Sequence, residues 1–594
     1  MTTGTDQFLK LQFRRGTSET LKNAAFYGDE AQFQQVMTIQ HRTARKRLAK
    51  AIASGESSIL WSDSQLRVSA ADRELTSLLA GRKKRHRAAR KLTLESLVLG
   101  DSRPLLVLTG LDTLVRHGTE LSNSDYVALY TALSQIDEIT PDWDTADEPQ
   151  QFIRRLICEG ELPLLLSLVL GDLKGRTSRF KTAAGVLRAG LEAGTDTDGM
   201  LHATLNSRAE MWLAPFVRSA HWGSAFGKSW LTPRQTHRLA DAVRSCVTLL
   251  TRTGLVGSPP VDLRNGDRCA AEVFEHGIRA VGIRESSPFT ALLRSDSYGR
   301  RTTAKEKKRL QQLSTSSQSD WAESAILRSG LQLNSDLCVV NWDQPEASIY
   351  LAVLGIPLIA GSWLSEVTVN GESIGPIEGW TCSCWFCDDE AAFVEIETDP
   401  SASIHAVRHV LLSLQDHTCI VCESVTTDDA DAEVRLENRL ALAARPLAQT
   451  NSITREIVLH ADSVATRVVP AWLEDDRVLH AIGRCEKVGD TLVSEARGHG
   501  GALAPYVLDW HPDRQALDAD WNRLTVTQAR AVLSPHDAAG FRVRIGNLQL
   551  VIYRSLRSGR VPRAVMGLHT LNETVYGHVT KSGEIAPLVL VEGE

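Results

Sequence analysis

The stretch Ser297–Ser319 reads SYGRRTTAKEKKRLQQLSTSSQS and separates two halves of the chain that have different hydrophobic patterns. It is rich in charged residues, serine and threonine and has few large apolar residues, which is typical of a segment between domains. Apolar residues recur at helical spacing before it and in short runs after it. We therefore expect a first domain at 1–300, a linker at 301–319 and a second domain at 320–594.

The first domain is expected to be all-α. Amphipathic helical spacing recurs from Phe8 to about Glu285, for example in Phe152–Leu173 and Pro233–Thr253. Thr232-Pro233 places a proline in a first helical turn, where its missing N–H has no intrahelical partner to lose. The first half is therefore expected to be almost entirely helical.

The second domain is expected to be an antiparallel β-sandwich. Its apolar residues form short runs rich in valine, isoleucine and threonine, such as Leu337–Trp342, Thr418–Ser424 and Leu548–Tyr553. Asn370-Gly371 is a typical hairpin turn, and many short strands joined by hairpins favour antiparallel pairing over a doubly wound sheet. The fold class is therefore α+β multidomain, with the helical domain first.

Charge and composition exclude several classes of function. The 594 residues include 66 Lys+Arg and 72 Asp+Glu, a net charge of -6, so we expect no nucleic acid partner. The run Arg82–Lys91 (RKKRHRAARK) is a local exception. A solvated helix face is expected there, and the alternative is a patch that contacts an acidic surface.

The location is expected to be cytoplasmic, without membrane contact. The N-terminus lacks the continuous apolar core of a secretory signal, and Tyr350–Gly361 is shorter than the ~20 residues that a membrane helix needs. Ten cysteines in the whole chain fit a reducing compartment better than a disulfide framework. A cytoplasmic protein would meet imported oligosaccharides or cell-envelope precursors rather than long extracellular polymers.

Two groups of cysteines have spacings that zinc sites use. Cys382, Cys384 and Cys387 form C-x-C-x-x-C, and Cys419 and Cys422 form C-x-x-C. Because Thr418–Ser424 is expected to be a strand, residues three apart there point to opposite faces and cannot bind one metal. We therefore predict buried core cysteines that do not converge on one site, and we expect no metal and no cofactor.

A possible acid–base constellation lies at Asp198–Glu210, a turn that enters a helix. His202, Asn206 and Glu210 are four residues apart, which would place all three on one helix face. An imidazole, an amide and a carboxylate together can move a proton and stabilise an enolate, as an elimination beside a carboxylate requires. The alternative is that these residues cap the helix and face solvent. Further residues expected to bind substrate here are Arg208, His221 and Trp222.

Three segments of the second domain carry a resemblance to a known family. They are Gln318–Arg328 (QSDWAESAILR), Ala347–Trp363 (ASIYLAVLGIPLIAGSW) and Ser403–Val425 (SIHAVRHVLLSLQDHTCIVCESV). Their order and motifs, including Ile326–Gly330 and Gly355–Leu358, resemble the β domain of heparinase II/III-like proteins. The resemblance implies an (α/α) toroid followed by a β-sandwich. It also implies a polysaccharide lyase that cleaves a uronate-containing polysaccharide or oligosaccharide by β-elimination, with an acidic glycan as partner.

Two departures from the family pattern leave an alternative open. Active members carry a His-x-Asp segment where this chain has Asp343–Ala347 (DQPEA), which contains no histidine. They also place a tyrosine beside a histidine after an Asp-Gly turn, whereas no tyrosine occurs here between Tyr130 and Tyr298. The alternative to a lyase is therefore a catalytically degenerate protein that binds an acidic glycan or a protein partner.

Arg328 ends the first of these segments directly after apolar residues. A buried guanidinium without a partner costs several kcal/mol, so Arg328 is expected to pair with a carboxylate and to support the architecture. The candidate carboxylates are Asp320, Glu323, Asp336, Glu395 and Glu397. In the alternative interpretation, Arg328 binds the carboxylate of the substrate.

Overall fold

The computed structural model describes residues 8, 11–51, 70–79, 83–139, 147–257, 269–283, 289, 315–443, 446–451, 454–473, 483–557 and 559–593. The chain divides into two compact units. The helical unit comprises 1–247 and 266–293, and the β unit comprises 248–265 and 294–594. Most of the expected linker, 301–314, lies outside the described residues, and the first strand of the large sheets begins inside its remainder, at Ser317.

The described part of the helical unit consists mainly of α-helices. Their bounds are Glu19–Phe26, Glu30–Gln40, Arg42–Ala51, Ala70–Leu79, Lys83–Val98, Pro104–Arg116, Asn123–Ser134, Glu148–Arg155, Leu162–Val169, Arg176–Gly194, Ala209–Ala225, Pro233–Thr248 and Cys269–Ala280. A π-helical turn spans Leu156–Glu161, and 3₁₀ turns span Gly118–Glu120 and Ala203–Arg208.

The helix Pro104–Arg116 lies at the centre of this unit. Its residues from Pro104 to Val115 are all buried, so it is buried around its whole circumference rather than on one stripe. It packs against Lys83–Val98, Asn123–Ser134 and Leu162–Val169. A Cβ at Gly110 would come within 2.6 Å of Leu97, which shows how closely the first of these neighbours approaches.

The β unit contains two large sheets, with strands numbered β1 to β28 in chain order. The order across the eight-stranded sheet is β14 (Leu447–Thr450), β15 (Ile457–Ala461), β16 (Val464–Pro470), β19 (Gly501–Asp509), β12 (Thr418–Thr427), β11 (Ile404–Ser413), β10 (Ala391–Glu397), β9 (Thr381–Cys387). The order across the other is β17 (Gly483–Val488), β18 (Thr491–His499), β13 (Glu433–Leu442), β7 (Ile356–Val369), β6 (Ser348–Val353), β5 (Leu337–Asn341), β4 (Ser324–Arg328), β3 (Ser317–Ser319), with β8 (Glu372–Ser373) paired to β7.

Three smaller sheets are also found among the described residues of this unit. A five-stranded sheet has the order β20 (Ala519–Leu524), β23 (Ala538–Ile545), β24 (Leu548–Ser555), β27 (Asn572–Val579), β28 (Ile585–Glu592). A four-stranded sheet has the order β22 (Ala531–Val532), β21 (Val526–Gln528), β25 (Arg563–Val565), β26 (Leu568–Thr570). β1 (Leu250–Thr251) and β2 (Gly254–Leu255) form a short hairpin.

The predicted fold class is confirmed. A helical region is followed by β-sheets, and each strand pair found among the described residues is antiparallel. Side chains from both large sheets and from the five-stranded sheet form one apolar core, represented by Leu351, Phe393 and Ile552. Alternating burial along β13 and β15 fits strands with one buried face.

Two expectations from the sequence concern helices: the basic run Arg82–Lys91 should form a solvated helix face, and no helix should span a membrane. The basic run lies mainly on the helix Lys83–Val98, with Arg85 and Arg87 exposed, while Arg90 pairs with Glu120 at 2.8 Å. This agrees with a solvated helix face; Arg82 lies outside the described residues. Among the helices that the structure describes, none combines the length and the hydropathy needed to cross a membrane.

Candidate functional site

A tight turn in the helical unit sets the position of His202. Asp196 Oδ1 accepts hydrogen bonds from the amides of Asp198 at 2.9 Å and Met200 at 2.8 Å. Gly199 has a φ of 82°, and a Cβ there would lie 2.5 Å from a backbone nitrogen of the neighbouring helix. Glycine is therefore required for both conformation and space, and the turn leads directly into His202.

His202 caps the 3₁₀ turn Ala203–Arg208, as the capping interpretation anticipates. Its Nδ1 lies 3.0 Å from the Thr204 hydroxyl and accepts a hydrogen bond from the Thr204 amide at 3.4 Å. Because an amide N–H can only donate, Nδ1 is an acceptor and the neutral ring carries its proton on Nε2. In this geometry Nε2 is suited to donating a proton rather than to taking one.

The expectation that His202, Asn206 and Glu210 share one helix face is wrong. His202 precedes the helical residues, the next six residues form a 3₁₀ turn, and the α-helix begins only at Ala209. With three residues per turn, positions four apart no longer align. Asn206 is 3% exposed and Glu210 is half-buried, so these two side chains have different environments.

The other residues expected to bind substrate in this unit make protein contacts. Arg208 pairs with Asp147 at 2.6 Å. His221 Nε2 donates to a backbone carbonyl on the helix Cys269–Ala280 at 3.1 Å, and burial lowers the pKa of His221. Trp222 is 1% exposed and stacks on Phe226 with an interplanar angle of 6°. As placed, the Trp222 ring contacts protein rather than solvent.

A buried ion pair, which was not predicted from the sequence, supports this helix. Arg218 Nε lies 2.5 Å from Glu161 Oε1, and Nη2 lies 2.9 Å from Oε2, with both side chains at most 1% exposed. Burial raises the pKa of Glu161, and the Arg218 charge opposes this effect. Glu161 ends the π-helical turn, and such turns often mark functional positions. The pair fixes the orientation of the helix that carries His221 and Trp222.

The same π-helical turn borders a cavity of about 890 Å³. Its lining combines apolar and charged side chains, including Phe152, Arg154, Cys158, Glu159 and Arg179. Burial raises the pKa of the Cys158 thiol to about 12, so this cysteine is not a thiolate nucleophile at neutral pH. None of the seven site residues predicted from the sequence lines this cavity.

Arg328 in the β unit does not make the ion pair that was expected. Its Nε donates to Gly330 O at 2.6 Å, Nη2 to Gln332 O at 2.7 Å, and Nη1 to the carbonyls of Thr248 at 2.7 Å and Leu250 at 2.8 Å. No salt bridge joins it to a carboxylate among the described residues. Four backbone carbonyls satisfy the guanidinium, and burial lowers its pKa to about 10, which leaves it charged at neutral pH.

The prediction that the cysteines do not converge is confirmed by the sheet order. Cys382, Cys384 and Cys387 lie on β9, while Cys419 and Cys422 lie on β12. β10 and β11 lie between these strands, so at ~4.8 Å per strand the two groups are about 14 Å apart. Cys419 and Cys422 are core residues, at 0% and 2% exposure. Cys382, Cys384 and Cys387 are only partly buried, so the expectation of buried core cysteines is wrong for these three.

A second polar network, also not predicted, connects the eight-stranded and five-stranded sheets. His409 Nε2 lies 2.6 Å from Glu395 Oε2, and its Nδ1 lies 2.7 Å from the Tyr576 hydroxyl. Arg554 Nη1 lies 3.3 Å from Glu395 and donates to Thr574 at 2.6 Å. We call these five residues the inter-sheet network. Burial alone would raise the pKa of Glu395, but His409 and Arg554 outweigh it and lower the pKa to about 2.

Acid should destabilise the β unit through this network. A carboxylate whose folded pKa is depressed from 4.5 to about 2 stabilises the fold above pH 4.5, and that contribution is lost as the pH falls toward 2. The expected loss is about 3 kcal/mol. Glu395→Gln should therefore give an unfolding temperature that depends less on pH between 5 and 2, measured by calorimetry. The exposed Glu486→Gln is the control, and equal pH dependence of the two variants would contradict the assignment.

No protein-family model matches the sequence, and no curated protein matches it.

Solved structures, in contrast, match the fold along almost the whole chain. The heparan sulfate lyase HepC from Pedobacter heparinus has a TM-score of 0.57 at 11% identity, covering 93% of this chain and 99% of that chain. A heparinase III described as the BT4657 gene product gives 0.58 at 10% identity with the same coverage. A further heparinase III gives 0.56 at 9% identity. Identity this low establishes the fold and not the chemistry. The chain therefore has the fold of the heparinase III and heparan sulfate lyase structures.

Proposed function

We propose that the protein is a lyase that cleaves a uronate-containing glycan by β-elimination. The observation that carries the proposal is the match to heparan sulfate lyase and heparinase III structures over 93% of this chain and 99% of theirs. Both parts of the architecture are present in the same order, rather than one shared domain. Fold similarity is an argument by analogy, so the residues must be tested separately.

The reaction requires three groups around the uronate. A base removes the C5 proton, a neutral or cationic donor stabilises the carboxylate as negative charge develops, and an acid protonates the leaving oxygen at C4. The electron pair of the broken C5–H bond forms the C4–C5 double bond. In this proposal His202 serves as the acid through Nε2, because Nδ1 caps the following turn. Asn206, which is buried, and Glu210, which is half-buried, are the candidate groups that neutralise the uronate carboxylate or position the sugar.

The activity has a direct optical signature. Elimination creates a double bond conjugated to the carboxylate, so ultraviolet absorbance should rise when the protein is mixed with heparan sulfate or with other uronate-containing polymers and oligosaccharides. His202→Ala should reduce the rate by about 100-fold or more, which is typical of losing a general acid or base. His237→Ala, an exposed histidine of the same unit, is the matched control and should retain the rate. No absorbance change with any acidic glycan would exclude the lyase.

A catalytically degenerate glycan-binding protein is the second candidate. It is favoured by the capping hydrogen bond of His202 and by the absence of a tyrosine between Tyr130 and Tyr298 in the sequence. This protein would bind an acidic oligosaccharide, measured by calorimetry, without producing unsaturated ends. His202→Ala should then leave the affinity unchanged, whereas a lyase that uses His202 would lose turnover.

A further inference from the structure

A carboxylate in the β unit is fixed by three hydrogen bonds. Asp336 immediately precedes β5 and is 1% exposed. Its Oδ1 accepts from Trp510 Nε1 at 2.9 Å and from the Leu354 amide at 2.7 Å. Its Oδ2 lies 2.7 Å from His417 Nδ1. The carboxylate is therefore held by the protein on one oxygen and directed toward an imidazole with the other.

This contact determines which nitrogen of His417 is basic. A carboxylate oxygen accepts, so Nδ1 donates and the neutral ring has its lone pair on Nε2. The His417 side chain is 35% exposed, and no described residue forms a hydrogen bond with Nε2. A histidine whose inner nitrogen is bound by a carboxylate and whose outer nitrogen is accessible has the arrangement of a catalytic base with its orienting group. His202 has the opposite tautomer.

The backbone at His417 is also unusual. The residue ends the turn between β11 and β12 with a φ of 52°, in the left-handed region that residues with a Cβ rarely adopt. Its carbonyl accepts a hydrogen bond from the Trp510 amide at 3.1 Å. A residue keeps this left-handed conformation only when its surroundings hold it there. Contacts to both the ring and the backbone of His417 therefore fix the position of its side chain.

A second histidine lies beside it. The His511 ring centroid is 5.8 Å from that of His417, with an interplanar angle of 58°. His511 Nδ1 accepts from the Asp513 amide at 3.2 Å, so its neutral form carries the proton on Nε2. The pair thus combines one ring with a basic Nε2 and one ring with a donor Nε2–H. Their separation allows a single small polar group to contact both rings.

The charges around the pair favour a neutral ligand. Asp336 and Asp416 both face His417, and Asp416 lies 3.5 Å from His578 Nε2. The nearby cation Arg514 is committed to the buried Asp509 at 2.6 Å and to the Asp416 carbonyl at 2.5 Å. Carboxylates therefore outnumber free cations here, which disfavours phosphate, sulfate and carboxylate ligands.

We propose that His417, oriented by Asp336 and assisted by His511, is a hydrolytic acid–base site that takes a neutral acyl ester, independent of the elimination proposed above. His417 Nε2 accepts a proton from water as the water oxygen bonds to the acyl carbon. His511 Nε2–H donates to the carbonyl oxygen as it becomes negative. Collapse of this adduct breaks the acyl–oxygen bond, and the alcohol leaves with the proton from His417. Ester and water give carboxylic acid and alcohol, and the imidazole is regenerated.

The test uses the full-length protein and p-nitrophenyl acetate, a neutral activated ester. His417→Gln keeps a donor for Asp336 but removes the base, so the rate should fall by about 100-fold. His569→Gln, an exposed histidine of the same unit, is the matched control and should keep the wild-type rate. The hydrogen bond that His417 donates to the Asp336 carboxylate raises the pKa of His417 above its ordinary 6.5, so the rate should rise with pH through an inflection above that value.

The variant Asp336→Asn tests whether Asp336 orients His417 and raises its pKa, rather than only supporting the fold. It should move the inflection to lower pH and decrease the rate, and nuclear magnetic resonance titration of His417 should show the same shift of its pKa. If that variant does not fold, the comparison of His417→Gln with His569→Gln still decides the question. A wild-type rate for folded His417→Gln, or an equal loss for His569→Gln, would overturn the proposal. Either outcome can be obtained whether or not the protein is a glycan lyase.

Discussion

Arg218→Met is expected to lower the free energy of unfolding of the helical unit by about 3–5 kcal/mol, the range typical of breaking a buried ion pair from one side. The guanidinium forms two hydrogen bonds to Glu161 at 2.5 and 2.9 Å, and neither side chain is exposed by more than 1%. Without the Arg218 guanidinium, the buried Glu161 carboxylate loses the charge with which it is paired, and it must take up a proton or attract water. Urea unfolding followed by the helical circular dichroism signal measures the change.

Two further variants make this expectation specific. Arg155→Met removes an exposed pair with Glu159, whose side chains are 66% and 58% exposed, and should change stability by less than about 1 kcal/mol. The double variant Glu161→Leu with Arg218→Met removes both charges and should recover most of the lost stability, because replacing a whole buried pair by apolar groups is often neutral. Equal stability of Arg218→Met and Arg155→Met would show that the Arg218–Glu161 pair does not stabilise the helix Ala209–Ala225.

Arg328→Met is expected to destabilise the β unit by about 3 kcal/mol or more, since each buried carbonyl left without a donor costs about 1–3 kcal/mol. Four backbone carbonyls, two on each of two chain segments, accept from this guanidinium, and of these the Gln332 carbonyl also accepts from the Ser335 amide at 3.0 Å. Arg328→Lys should recover only part of the loss, because one ammonium cannot reproduce the planar array of donors. The measurement is the midpoint of urea unfolding followed by intrinsic tryptophan fluorescence.

A matched arginine in the same unit supplies the control. Arg560 pairs with Glu592 at the surface, with side chains 55% and 69% exposed, and Arg560→Met should leave the midpoint nearly unchanged. If Arg328→Met kept its stability but lost affinity for an acidic glycan, the guanidinium would instead serve to bind the carboxylate of the ligand. That outcome would contradict the architectural role and strengthen the lyase proposal.

Local patterns were sufficient to predict the type of each half. Helical spacing before about residue 285 and short β-branched runs after 320 predict a helical region and an antiparallel β region, and both are observed. The prediction that the cysteines do not converge also succeeded, because a strand at Thr418–Ser424 already prevents its two cysteines from pointing at one metal. These predictions depend on periodicity, which is a property of neighbouring residues.

The site residues depended on finer geometry than spacing provides. His202, Asn206 and Glu210 have α-helical spacing, but the chain adopts a 3₁₀ turn there, which changes the angle per residue and directs the side chains differently. Asp336 was considered as a partner for Arg328, yet it binds His417, 81 positions later in the sequence. No local signal distinguishes a carboxylate that will face a guanidinium from one that will face an imidazole.

Periodicity and turn residues thus determined the order and class of the two regions, because they report which face of each segment is buried. Only the tertiary structure decided the pairings of the buried charges. Glu161 with Arg218, Glu395 with Arg554 and Asp336 with His417 each join residues far apart in the chain. A buried charge requires a partner, but which partner it finds depends on how the elements pack, and that information is distributed over the whole sequence.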